Sequence, residues 1–335
     1  MNSKKTLIIF FLSVDFALLE LGFLNFRLLA IKAGLPNEYK TEINNFSFDL
    51  KHISKSEKII EFDGRKIERS GLVDFYLLNY KINDTVKIKS VNAEGKTILR
   101  TIALPTKYTL IELLVMAVVA MFFLFTGIYV LLRYRGSSFS YIIHMLSIST
   151  GLMVIFDWGD LFTYGKYLNF VIFLFFEIGI YLVPVLFLHL SFTYPVKSKG
   201  KSVYFLVPFY ATTVTFIIIA FIHLFKIIFM GINVAGLYYI NFHTTIADIY
   251  LVIVLILTIA KFEHSALTLT DVIYKKQIYW ALLGITFGPL IYVFLCLVPR
   301  ILLGSELVSL AFMQFTIIIA PIMLLISLAH NKSYS

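Results

Sequence analysis

Eight apolar runs dominate the sequence, at 6–26, 110–132, 139–156, 168–194, 203–222, 244–260, 278–298 and 306–328. Each is close to the ~17–25 residues that the hydrocarbon core of a bilayer demands of a helix. Lipid offers no hydrogen bonds to an open backbone, so unbroken apolar stretches of this length are expected as helices. With 59% apolar and 15% charged residues, a water-soluble fold would have too little interior for this much hydrocarbon. The expected fold class is a polytopic α-helical membrane protein with one anchor span followed by seven, and the lipid bilayer as its first partner.

The net charge of +9 reads as an orientation signal. Lys4, Lys5, Arg133, Arg135, Lys197, Lys199, Lys201, Lys275, Lys276 and Lys332 all fall on one side if the spans alternate. The short loops of the other side hold only Lys166, Lys226 and Arg300. That asymmetry places both termini in the cytoplasm of a cytoplasmic membrane protein and argues against a nucleic-acid partner. A lone cysteine, Cys296, excludes a disulfide framework within the chain and reads as a small packing residue.

Between the first two spans lies the one long stretch able to fold in water, 44–104. Val86, Ile88, Ser90 and Ile98, Arg100, Ile102 form two period-two runs, the pattern of half-buried strands. Asn92 to Lys96 carries hairpin chemistry, with Gly95 suited to positive φ, and Asp63-Gly64 should reverse the chain into Ile67. Leu72, Phe75, Tyr76 and Leu78 to Tyr80 recur at helical spacing, and an early strand is expected around Phe46-Ser47-Phe48. The expected organisation is an N-terminal anchor (1–34), a small extracytoplasmic α+β domain (35–106) and a seven-helix bundle (107–335).

Polar groups inside the spans are the candidate functional residues. Asp15, near mid-bilayer, would cost ~2.5–3.5 kcal/mol unless it faces protein or water. It is either a coupling contact in the bundle interior or a hydrogen-bonded acid buried for packing. Glu177 and Tyr181 are spaced to share one helical face, Pro184 kinks the same helix, and His189 lies toward its cytoplasmic end. Other ionisable groups at membrane depth are His144 and Asp248, with Glu263 and His264 nearer an inner face. Asp157, Trp158 and Asp160 form a candidate outer loop, Trp158 suiting the interfacial belt.

The run from Gly64 to Leu104 resembles the C-terminal half of bacterial PDZ domains. The residues that carry this are Asp63-Gly64-Arg65-Lys66-Ile67, Val73 to Tyr80, Asn83-Asp84-Thr85-Val86 and Glu94-Gly95-Lys96. No Gly-Leu-Gly-Phe-like carboxylate-binding loop occurs in 35–58, so a structural or dimer-contact role stands beside peptide binding. With Leu188-His189-Leu190-Ser191-Phe192-Thr193-Tyr194-Pro195, Lys275 to Gly284, Gly288-Pro289 and Ile319-Ala320-Pro321, the whole order resembles the membrane input region of competence-type sensor histidine kinases. The resemblance implies a homodimeric sensor that responds to a peptide or apolar ligand and drives a cytoplasmic kinase or phosphatase effector. The sequence stops about a turn beyond the last apolar run with no phosphoacceptor helix or ATP-binding glycine boxes. The expectation is an input module whose output domain is missing or supplied by a separate partner.

No His-Glu-x-x-His, Gly-x-Ser-x-Gly, phosphate-binding or dinucleotide glycine motif is present. The chain is therefore expected to have no catalytic residues, no metal site and no cofactor. The alternative is a small-solute transporter or intramembrane enzyme built on a Glu177/His189 polar cluster. Absence of a hydropathy repeat and of paired broken spans speaks against the transporter.

Overall fold

A computed structural model describes residues 3–34, 58–67, 77, 80–91, 94–135, 137–156, 166–197, 204–230, 234–303, 308 and 316–329. Seven of its helices are long and apolar enough to cross a membrane. They are α1 (Ser3–Leu29), α2 (Leu110–Arg133), α3 (Ser138–Phe156), α4 (Lys166–Thr193), α5 (Val207–Met230), α6 (Val234–Thr268) and α7. Helix α7 begins at Val272–Ile285 and runs on through two π-helical turns, Thr286–Leu290 and Val293–Leu297, into Val298–Leu303. Pro289 has no N–H to give to the carbonyl four residues back, which fits the wide turn there. The last helix, α8 (Ile319–Ala329), is ~16 Å long at ~1.5 Å per residue, too short to span alone. Most of the rest of the expected eighth run lies outside the described residues.

Two helix starts are fixed locally. At α2 the Thr109 hydroxyl accepts from the Glu112 N–H at 3.2 Å while the Glu112 carboxylate accepts from the Thr109 N–H at 2.7 Å. This reciprocal capping box satisfies two of the donors that a helix start leaves open. At α7 the Asp271 side chain accepts from the Ile273 N–H at 2.7 Å. Thr109→Ala should lower stability by about 0.5–2 kcal/mol, measured by thermal unfolding in a fixed detergent.

Outside the long apolar helices lies a four-stranded antiparallel sheet. Its strands are β1 (Lys58–Phe62), β2 (Arg65–Lys66), β3 (Thr85–Val91) and β4 (Thr97–Ala103), in the order β2-β1-β3-β4. Asp63 and Gly64 both take positive φ, 47° and 78°, the primed turn whose twist matches a two-residue hairpin. Gly95, φ 78°, lies in the β3–β4 connection, and the register Val86↔Ile102, Ile88↔Arg100, Ser90↔Ile98 pairs the two period-two runs. Val86, Ile88 and Ser90 are buried, so the alternation reads the sheet's inner face correctly. Phe62, Ile67, Leu77, Val86, Ile88, Leu104 and Ala33 form its core. Of the expected helix over 72–80 only Leu77 and Tyr80 are described, and the expected strand at 46–48 lies outside the described residues.

The sheet grips the bundle at one point. Just past α1, Lys32 bridges Lys81 and Ala33 bridges Thr106. The Gly34 N–H donates to the Pro105 carbonyl at 2.9 Å, and the Lys107 N–H to the Lys32 carbonyl at 2.8 Å. The exit of α1, the sheet and the entry to α2 are thereby one hydrogen-bonded piece. A Cβ on Gly34 would stand 2.5 Å from the Lys107 Cα, so only glycine permits this approach.

In the bundle, the stripe of α1 that is buried is narrow: Asp15, Leu18, Gly22, Asn25 and Leu29. Steps of three and four put these on one seam, the geometry of a near-parallel helix contact. Phe10, Phe16 and Phe23 point away and are exposed, as lipid-facing residues should be. Helix α3 is the opposite case, buried almost all round between α2 and α4. Helix α6 exceeds the expected 244–260 at both ends.

Candidate functional site

Asp15 is the expected site residue with the most pointed geometry. It is 2% exposed, and its Oδ2 lies 3.5 Å from Nε2 of His144, which is wholly buried on α3. Room for the imidazole comes from Gly127 on α2, where a Cβ would meet Nδ1 at 3.2 Å and the Ser147 Cβ at 2.8 Å. The Phe11 ring stands edge-on to the imidazole, centroids 5.2 Å apart. Neither Asp15 oxygen meets a hydrogen-bond partner among the described residues, and the His144 ring lies against the Gly127 backbone. Three further contacts fasten the same seam. The Asn25 amide donates to the Ile155 carbonyl at 2.7 Å, Gly22 lies against the Ile155 side chain, and Leu18 packs with Ile148 and Leu152.

Glu177, Tyr181, Pro184 and His189 do not form one cluster. Twelve residues of helix separate Glu177 from His189, ~18 Å of rise. Glu177 is partly buried and has its own interactions. Tyr181 is fully buried against Phe216. Pro184 sits inside an α4 that continues to Thr193, and beside it the Thr213 hydroxyl donates to the Tyr181 carbonyl at 3.3 Å. Such a side chain from a neighbouring helix is the usual remedy near an intramembrane proline. His189 bonds through Nδ1 to the Tyr210 hydroxyl at 2.7 Å. The Tyr250 hydroxyl contacts Thr213 at 3.1 Å and donates to the Phe209 carbonyl at 3.0 Å. These bonds staple α4, α5 and α6 together. Asp157, Trp158 and Asp160 lie outside the described residues.

A third polar group closes the bundle at the end far from the sheet. The Tyr134 hydroxyl donates to the Leu328 carbonyl at 3.2 Å. The Tyr194 hydroxyl lies 2.5 Å from the Ser327 hydroxyl, which donates to the Gln277 carbonyl at 2.7 Å. α2, α4, α7 and α8 are joined there within a few residues. The Gln277 amide is buried with no hydrogen-bond partner among the described residues. Between this knot and the bundle centre is an apolar cavity of about 30 Å³, lined among others by Phe123, Ser147, Phe187, Ala281, Pro321 and Leu324. That is room for about one or two waters.

Sequence reasoning named His144 only as one ionisable group at membrane depth. A usable signal existed: in the first three apolar runs the only acids or histidines are Asp15, Glu20, Glu112 and His144, and Glu20 and Glu112 lie near the ends of their runs. The tyrosine and serine contacts had no such signal, because hydroxyls are common in apolar helices and their partners lie on distant segments.

Fold and polar contacts together define a multi-pass helical membrane protein whose buried polar groups tie helices to one another. Among the described residues no cluster of three or more His, Cys, Asp or Glu side chains is placed to hold a metal. Comparison with protein-family models, with curated proteins and with solved structures finds no match.

Proposed function

We propose that this chain is a membrane signal-sensing module, which detects an extracytoplasmic or membrane ligand and passes a change in helix packing to a cytoplasmic effector. One observation carries the reading: an unbroken line of contacts runs from the sheet to the far end of the bundle. The sheet holds the ends of α1 and α2 through Ala33, Gly34 and Lys107; α2 carries Tyr134; and Tyr134 holds the last turn of α8. A ligand on the sheet could bias α8 only by binding two packings with different affinity, and this line is where that difference would act. The positions of the lysines and arginines support a sheet outside the cytoplasmic membrane and both termini inside. A PDZ-like identity for the outer domain, an eighth span through 306–328, a homodimer and a kinase or phosphatase effector belong to the same reading.

The test places a nitroxide at Ala329, with Cys296 replaced by alanine, in the full chain in lipid nanodiscs. Breaking the sheet contact with Gly34→Val should change probe mobility at Ala329, at the other end of the 24-residue α2, ~36 Å away at the ~1.5 Å rise. An identical spectrum from a folded variant would remove the line of contacts as a signal path. Glu177→Gln and His189→Ala should alter control of a co-expressed kinase or phosphatase while insertion and expression stay normal. Unchanged control in both would count against the α4 polar groups as part of the route. The transporter or enzyme alternative gains no support from geometry that sets Glu177 and His189 ~18 Å apart; substrate flux in proteoliposomes would revive it.

A further inference from the structure

We infer that Asp15 and His144 form an intramembrane proton-binding site that fastens α1 to the bundle only while the pair holds a single proton. The two side chains face each other at 3.5 Å, and both are buried at membrane depth. The two Asp15 oxygens have no other hydrogen-bond partner among the described residues, and the other polar group set against the imidazole is the Gly127 backbone on α2. One proton makes the pair neutral overall, either as carboxylate with imidazolium or as carboxylic acid with imidazole. In both forms one N–H or O–H is available to bridge the two groups. Loss of that proton to water leaves a carboxylate facing a neutral ring. A second proton from water leaves an imidazolium facing a neutral acid. Either change strands one net charge where hydrocarbon surrounds the helix pair, and that is the costly situation in a bilayer.

No described neighbour stands ready to balance that charge. On α1 the nearest ionisable groups are Lys5 and Glu20, both exposed. On α2, Glu112 is held in the capping box at the sheet end, and Tyr129 and Arg133 lie toward the opposite end. On α3 the only other titratable group is Tyr141, which packs near Phe11. On α4, Gly179 meets the Ser149 carbonyl, which sets the level of that helix. Glu177 then lies ~10 Å nearer the sheet than His144, and His189, bonded to Tyr210, ~8 Å farther from it. Helix α1 is the element free to respond. Its buried seam is narrow and its exposed faces are apolar; besides the Asp15–His144 pair it is held by Asn25 and, at its sheet end, by the backbone bonds of Lys32 and Gly34. The site stands independently of the receptor reading, since it concerns what holds α1 in place and not what the bundle tells an effector.

The experiment uses the full chain with Cys296→Ala, in nanodiscs, carrying nitroxides at the exposed positions Leu7 on α1 and Tyr129 on α2. Pulsed electron–electron distances are read across the pH range in which the protein stays folded. The docked distance should be most populated at intermediate pH and fall on at least one side, by up to about tenfold per pH unit beyond the apparent pKa of the pair. Asp15→Asn leaves only His144 to titrate and should lose any fall on the alkaline side, and His144→Gln leaves only Asp15 to titrate and should lose any fall on the acid side. Infrared spectra of the same samples should show one protonated-carboxyl band that titrates in step with the distance change and is absent in Asp15→Asn. A flat profile in the parent protein, or a parent profile that both variants reproduce on both sides with the same midpoints, would overturn the inference. So would a carboxyl band that His144→Gln leaves unmoved.

Discussion

Gly179→Val is expected to be the most damaging single substitution in the bundle. A Cβ at this position would stand 2.7 Å from the Ser149 carbonyl oxygen and 3.2 Å from the Met153 nitrogen. Both obstacles are backbone, so no side chain can swing aside; α3 and α4 must move apart along their whole contact. Overpacking a well-filled core costs about 1–3 kcal/mol, and more where the neighbours are rigid. Because α3 is buried between α2 and α4, the displacement would be felt on both sides. Thermal unfolding in detergent should show a fall at the upper end of that range for valine and a smaller one for alanine. The glycines facing α8 offer a comparison. At Gly284 a Cβ meets the Met323 Cβ at 3.0 Å and the Ala320 carbonyl at 3.1 Å, and α8 is short enough to shift. Gly284→Val should therefore cost less than Gly179→Val; the reverse order would show that α8, and not the α3–α4 contact, is the less yielding joint.

Ser327→Ala should loosen the far end of the bundle. The serine hydroxyl is the middle member of the Tyr194–Ser327–Gln277 chain. Its removal leaves the buried Tyr194 hydroxyl without the partner it has here, a loss of about 1–3 kcal/mol. The effect should be local: hydrogen exchange should rise in α8 and in the first turns of α7, with α3 unchanged. Tyr194→Phe removes the same bond but leaves no buried hydroxyl stranded, so it should cost about 0.5–1.5 kcal/mol. Equal losses in the two variants would mean that the hydroxyl found water or another acceptor and that the chain is not a unit.

Much of this architecture was legible because its causes are local. Span-length apolar runs, the Asp63-Gly64 turn, the two alternating strands and Gly95 each specify structure through backbone sterics or pattern within a few residues. Helix ends were less legible. The capping box at Thr109 and Glu112 is readable in the sequence, yet α6 runs on past both ends of its most apolar stretch because helices do not stop where hydrophobicity does. Pairing between helices was the least legible. Glu177 and Tyr181 share one turn and invited a cluster with His189, but distance along a helix is fixed at ~1.5 Å per residue and keeps them apart. Asp15 and His144 meet only because Gly127 leaves a gap for the ring, a fact about a third helix that no local pattern contains.

The seam of α1 has one more implication. Acyl chains wet leucine as well as leucine does, so burying Leu18 and Leu29 gives this helix little reason to prefer protein over lipid. What discriminates is the minority of its contacts that oil cannot imitate, Asn25 reaching a carbonyl and Asp15 reaching a ring. Apart from the backbone bonds at its sheet end, the adhesion of the first helix thus rests on two side chains in a segment of twenty-seven residues. Exchanging the exposed Phe10, Phe16 and Phe23 for other greasy residues should scarcely alter it.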